Sequence, residues 1–394
     1  MNFNVTDYRK SLDKTLIELS QRSIFYKRKE FEYIRDPNEW IYRYRINKDH
    51  VIKVALDGRK VIASLGVVQR RCIIDKKMVK VGCFVDNDIL PEYLDHYEDV
   101  FSELFIEVEK EMDKEGMVAI CGWDFLKKAK KHKNFFRDMG FNWVEGVNWY
   151  PGGSDLEGVY PKSANHRIKW YWKVGISLLK YQHRLKEFFI PKLSSDVNLR
   201  DMIKDDIPAI CNLLNGDGDK EFESTYELRE YESIIRENNM HGIVAEKNSK
   251  IIGVLTYITS AWSGWMFSKP YYSKKWSIFY SYTPDEFVVS KEYQDTSLPA
   301  NMLLMLMKTK DPERKLVNDN NYNFMVDVFD RRIKWRRDAL LKLGCTDPEF
   351  DYGVILAKSL RDDIELDTNK IWHLPARYIV APVPSSAYFQ KQGQ

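Results

Sequence analysis

Asp285 and Glu286 stand side by side between Pro284 and the apolar run 287–289. A carboxylate is one of the side chains that can act as a general base, taking a proton from an incoming nucleophile. Acids beside a proline are also common as solvated loop residues. A few residues on, "EYQDTSLPANMLLMLM" (Glu292 to Met307) reads as a short loop turning into an apolar helix. The first amides of a helix lack intrahelical partners and the helix dipole is positive there, so this stretch could hold a phosphate. With a phosphate in that place, the chain is a transferase using a nucleotide-tailed donor. The alternative is an ordinary core helix, capped by Thr296 or Ser297, with Pro299 tolerated in its first turn.

Other stretches offer binding rather than catalysis. "AWSGWMFSKPYYSKKWSIFYSY" (Ala261 to Tyr282) is the densest aromatic run. Trp262, Trp265, Tyr271, Tyr272, Trp276 and Tyr280 could line a pocket for an apolar tail, a sugar or an aromatic amine, or pack an inserted hairpin onto a sheet. "NGDGDKE" (Asn215 to Glu221) lacks the spacing and the closing glutamate of a calcium loop, which leaves a loop over an acceptor site. "NHRIKWYWKVGISLLKYQHRLKEFFIPK" is basic and aromatic without one clean apolar face, so a strand and linker helix joining two halves is preferred to a membrane-surface helix. "ARYIVAPVP" in the tail can add a strand to either half or exchange between two protomers, which leaves a homodimer open.

The elements that must position these groups follow from length and pattern. At 394 residues two domains are expected, and 44% hydrophobic with 30% charged residues describes a globular chain. A net charge of +3 argues against a nucleic-acid partner. Five scattered cysteines form no metal-spaced set, so no metal is expected, and a reducing cytoplasm fits them best. No run is long and apolar enough to cross a bilayer, and the N-terminus lacks a signal core. The first half reads as a helix from Tyr8 to about Gln21, a three-stranded meander ending in "MVKVGCFV", an amphipathic helix to about Gly116, the strand "MVAICGW", one helix over "DFLKKAKKHKNFFRDMGF", and a last strand. The second half repeats this order: a helix over "LRDMIKDDIPAICNLLN", the hairpin "GIVAEKNSKIIGVLTYI", the strand "PDEFVVS", then helix, strand, helix and strand. The expected domains are 1–162 and 198–360, joined by 163–197 and followed by a tail, 361–394.

This order resembles the GNAT acyltransferase superfamily, in tandem. "NLRDMIKDDIPAICNLL" looks like the family's R-x-x-x-x-x-D opening, "VDVFDRRIKWRRDALLKLGC" like its strand-helix-G-F segment, "FFRDMGF" repeats that ending in the first half, and "GVILAKSL" resembles its closing strand. The resemblance implies an α/β fold of two GNAT-like domains, each a mixed, mostly antiparallel sheet flanked by helices. It implies that acetyl-CoA or another acyl-CoA lies between the fourth and fifth strands, against residues 287–289, and on an R/Q-x-x-G-x-G/A loop aligned here with Gln294, Ser297, Pro299 and Ala300. The donor site is thus Phe287, Val288, Val289, Gln294, Thr296, Ser297, Leu298 and Ala300. Asp285 and Glu286 take the place of the catalytic base, an amide near Val288 or Val289 that of the oxyanion donor, and Trp262, Trp265, Tyr272, Trp276, Tyr280 and Asp327 that of the acceptor site. The family's tyrosine acid is replaced by Leu340 and Phe136. In the first half Leu94, Tyr97 and Asp99 stand at the loop positions, and Asp95, Glu98 and Asp99 would repel a pyrophosphate, so that half is expected to be non-catalytic. The expected activity is acyl transfer to a small amine. The alternatives are a catalytically silent scaffold, and transfer from a non-CoA donor such as an aminoacyl-tRNA.

Overall fold

The computed structural model describes residues 2–23, 44, 50–74, 77–153, 188–216, 225–237, 240–262, 279–308, 324–330, 332–345, 353–367 and 375–378. Through them runs one sheet of 12 strands. In the first half β1 (Asn4–Asp7), β2 (His50–Asp57), β3 (Lys60–Ile74) and β4 (Lys77–Ile89) are antiparallel neighbours, and β5 (Ala119–Phe125) runs parallel to β4. Gly58, at φ +59°, opens the two-residue turn between β2 and β3, where a Cβ would be strained. The helices are α1 (Asp13–Arg22), α2 (Tyr97–Lys114), α3 (Leu126–Lys131) and α4 (Lys133–Asp138). Helix α2 puts Val100, Phe101, Leu104, Phe105, Val108 and Met112 on one face of the sheet, while α1 covers the other with Leu16 and Leu19.

The second half holds β7 (Val197–Asp201), α5 (Ile207–Asn215), α6 (Leu228–Glu237), β8 (His241–Lys247), β9 (Lys250–Trp262), β10 (Phe279–Val289), α7 (Leu298–Lys308), β11 (Phe324–Asp330), α8 (Lys334–Lys342) and β12 (Gly353–Ser359). The β8–β9 turn sets both Asn248 and Ser249 at positive φ, the hairpin geometry that matches strand twist. Helices α7 and α8 bury one face of this half, and α5 and α6 the other. The sheet of each half is therefore mixed, mostly antiparallel and flanked by helices.

Three expectations are corrected. Residues 197–201 form β7, not the start of a helix: Arg200 is bound to Glu246 on the neighbouring β8, and α5 begins only at Ile207, with Pro208 in its first turn. The expected helix over 124–141 is two short ones, because Asp124 and Phe125 finish β5 and the chain breaks at His132, whose ring stacks on Tyr97 at 4.0 Å. The strand expected over 284–290 begins earlier, at Phe279. Gly140 stops α4, at φ +85°, and Gly344 stops α8 in the same way: the amide after each glycine reaches back to Phe136 or Leu340.

The halves are interlocked. β12, last in the chain order, lies between β5 and β6 (Asn142–Gly153) of the first half, antiparallel to both. The far end of β6 in turn pairs with β11, Tyr150 opposite Asp327. Each half thus lends the other a strand, and Lys358 seals the exchange on Glu109 of α2 at 2.7 Å. Of the tail stretch "ARYIVAPVP", Ala376–Tyr378 form a 3-10 turn rather than a strand, and the rest lies outside the described residues.

Candidate functional site

The parallel pairs β4–β5 and β10–β11 both come apart. In the second half Tyr282 and Met325 are partnered and the strands then diverge. Just beyond, β10 carries one residue more than β9: Pro284 faces Tyr257 and Phe287 faces Leu255, so Asp285 and Glu286 share the place opposite Thr256. This bulge turns both carboxylates into the protein. Asp285 is 0% and Glu286 2% exposed, which excludes the solvated-loop alternative.

Both acids are bound by groups from elsewhere in the chain. The 3-10 turn Ala376–Tyr378 packs against β10 and β4. From it the Arg377 backbone N–H donates to Asp285 Oδ1 at 2.8 Å, and the guanidinium pairs with Asp285 Oδ2. The same guanidinium lies 3.5 Å from Glu286 Oε1 and donates to the Tyr226 hydroxyl, which itself donates to Glu286 Oε1. Burial raises the Asp285 carboxyl above its ordinary range, against the pull of the Arg377 charge. Tyr226 is fixed by α5: Asn215 accepts from its amide at 2.9 Å and donates to its carbonyl at 2.7 Å. Tyr226 lies in none of the quoted stretches and Arg377 only in the tail stretch "ARYIVAPVP", and it is their shared burial with two acids that marks them.

The strand geometry also sorts the amides. Ser290 N–H donates to Ile252 C=O, so two-residue alternation directs the Val288 amide to β9 and those of Phe287 and Val289 toward the side where β11 has departed. On that side Gln294 Nε2 donates to the Val289 carbonyl at 3.0 Å. Thr296 Oγ1 accepts from Leu298 N–H at 3.1 Å and so caps α7. The Gln294 and Thr296 amides turn back on Lys291 and Tyr293, and the Ser297 carbonyl accepts from Asn301. Leu298 and Ala300 are buried. Helix α8 sends Arg336 into the region between β10 and β11, where it is 1% exposed and its guanidinium lies over the rings of Phe287 and Phe329, at 5.5 and 4.7 Å. Each such contact contributes about 0.5–2 kcal/mol.

Of the aromatic insertion, Trp262 and Tyr280 are placed by backbone pairing, on Phe279 and Ala261. Their side chains and that of Asp327 lie outside the described residues, as do Trp265, Tyr272 and Trp276 entirely.

The first half repeats the design with its opening closed. Its bulge is at Val85, since Phe84 faces Val67 and Asp86 faces Gly66. Past the last β4–β5 pair, Phe84 with Gly122, the side chains of Asn87 and Asp124 bridge the strands at 3.4 Å. Tyr97, at the start of α2, is fully buried beside this bridge, and desolvation raises its hydroxyl well above the usual tyrosine range. Cys83 and Cys121, far apart in sequence, are partners on β4 and β5 with sulfurs 3.9 Å apart. Among the described residues no group of three or more His, Cys, Asp or Glu could hold a metal, and no helix is long and apolar enough to cross a membrane.

Comparison with solved structures decides the architecture. A tandem GNAT protein from the clavulanic acid biosynthesis pathway superposes with a TM-score of 0.55 at 9% identity, over 92% of this chain and 100% of that one. The fold is a tandem GNAT fold. A GCN5-related N-acetyltransferase from Sphaerobacter thermophilus matches at TM-score 0.53 and 11% identity, over 92% and 98% of the two chains. Saccharomyces cerevisiae N-myristoyltransferase, solved with bound myristoyl-CoA, matches at 0.56 and 10%, over 90% of this chain and 78% of its own. No protein-family model and no curated protein matches the sequence. In tandem GNAT terms, the bulge of β10 and the opening beside β11 belong to the second unit.

Proposed function

We propose that the chain is an acyl-CoA-dependent N-acyltransferase acting on a small amine, with its donor site in the second half. The observation that carries this reading is the buried Asp285–Glu286 bulge beside the diverging β10 and β11, followed at once by the capped N-terminus of α7. The solved tandem and N-myristoyltransferase folds, the latter bound to myristoyl-CoA, support an acyl-CoA donor. In this reading the Val289 N–H, on the side where β11 has departed, serves as the oxyanion donor. Ser297 and Ala300 lie at the loop, although Pro299 contributes no donor there.

In this reading the acceptor's ammonium gives one proton to Glu286 and the free amine attacks the thioester. The C–N bond forms as the C–S bond breaks, sulfur leaves with the electron pair and takes the second proton of nitrogen, and Glu286 releases its proton to solvent. Asp285, engaged twice by Arg377, serves as counter-charge.

The Asn87–Asp124 bridge and buried Tyr97 support a non-catalytic first half. A second reading, a silent scaffold, is favoured by Arg336 between Phe287 and Phe329 and by the loop amides already engaged within the protein. Incubation with a panel of acyl-CoAs and amines, read by mass spectrometry, separates the two: an acylated amine supports the transferase, and intact substrates throughout support the scaffold.

A further inference from the structure

We infer that Arg377, delivered by the chain's own C-terminal segment, is a positioning residue that sets the charge and direction of the carboxylate at the β10 bulge. The inference rests on the acyltransfer reading and adds to it a residue far from any family motif. Two acids stand next to each other in sequence and are both almost wholly buried. Without a cation between them, like-charge repulsion and desolvation would drive one to keep its proton at neutral pH. Arg377 meets Asp285 through two donors, its backbone N–H and its guanidinium, and the remaining face of the guanidinium reaches Glu286 and Tyr226.

The direction of the phenol follows. A tyrosine hydroxyl has one hydrogen. Because the Tyr226 oxygen accepts from Arg377, its hydrogen is aimed at Glu286 Oε1, and Asn215 fixes the backbone behind it. Among the described residues, the titratable groups facing Glu286 include Asp285 on its own strand, Tyr226, Tyr231 on α6 and Arg377. Arg377 is the cation of that set. Its turn also packs on β4, a strand of the first half.

The test compares wild type with Arg377→Gln, Arg377→Lys and Tyr226→Phe in three measurements: the pH profile of kcat/KM, acyl-CoA affinity, and the infrared band of protonated carboxyl groups at neutral pH. Removing the cation moves the acid limb of the profile to higher pH, with Arg377→Lys nearer wild type. At neutral pH kcat/KM of Arg377→Gln falls by about tenfold or more. Acyl-CoA affinity holds, and the protonated-carboxyl band grows relative to wild type. Tyr226→Phe, which keeps the ion pair, moves the limb the same way and serves if Arg377→Gln fails to fold. An unmoved limb and an unchanged band in folded variants that still bind acyl-CoA overturns the inference. A larger band in a chain that never acylates an amine upholds the charge role and sinks the acyltransfer reading instead.

Discussion

Asp86 and Glu286 hold the same place in the two halves: each follows the extra residue of a bulged strand and accepts a hydrogen bond from the hydroxyl of a distant tyrosine, Tyr44 or Tyr226. The residue across the ladder differs. Opposite Asp86 is Gly66, where an added Cβ would lie 2.0 Å from the Tyr44 oxygen, whereas Thr256 faces Glu286 and accepts from its amide at 3.1 Å. Both halves thus hold a buried tyrosine–carboxylate pair, one of them beside a bridged opening.

That repetition supplies an internal control. Tyr44→Phe removes a hydrogen bond to a buried acid and should cost about 1.5–3 kcal/mol of stability, with little change in acylation. Tyr226→Phe should change the pH dependence of acylation. Denaturant melts and rate profiles of both variants check this, and a Tyr44→Phe enzyme with the altered profile would count against a silent first half.

Gly66→Ala should be more damaging than an exposed Gly→Ala, because the new methyl meets the Tyr44 phenol itself. The overpacking cost is about 1–3 kcal/mol, and Gly66→Ala combined with Tyr44→Ala should recover part of it. Thermal melts of the two single variants and the double variant measure the recovery.

Arg200 grips Asp206 through both oxygens, at 2.7 and 2.8 Å, and this hydrogen bonding holds the Asp206 carboxyl below its ordinary range. A depressed carboxylate adds stability that is present above the unfolded pKa of about 4 and lost as pH falls through the folded value. Melting temperature should therefore drop on acidification below about pH 4, and Asp206→Asn should flatten that limb. An unchanged acid limb in Asp206→Asn would remove this pair from the acid-sensitive set.

The strand exchange makes the halves interdependent. Residues 1–162 expressed alone lack β12, which leaves β5 and β6 with exposed edges, and should be insoluble or loosely packed. Co-expression with residues 163–394 should restore a stable complex. A folded, monomeric 1–162 fragment would contradict the exchange.

Much of this was legible in order and punctuation. The meander, the apolar face of α2 and the closing glycines Gly140 and Gly344 follow from two-fold and 3.6-fold periodicity and from the need for positive φ after a helix. Residues 199–201 were read into the helix over 199–215, and only pairing with β8 decides against it. The placement of β12 is a long-range choice between two chemically similar sheet edges, which local pattern does not encode. At the site, Asp285, Glu286 and the α7 loop were visible from type and spacing. Arg377, Tyr226 and Arg336 were not, since each acquires its significance from burial against residues remote in sequence.

Calorimetric titration with acetyl-CoA, myristoyl-CoA and free CoA, on wild type and Ser297→Asp, tests the central claim most directly. Ser297 opens α7, and a carboxylate there would repel a pyrophosphate while suiting the helix terminus. One site per chain for at least one of these ligands, weakened tenfold or more in Ser297→Asp without loss of stability, is the expected result. No binding by wild type, or equal binding by both proteins, would contradict a donor site at the second-half opening.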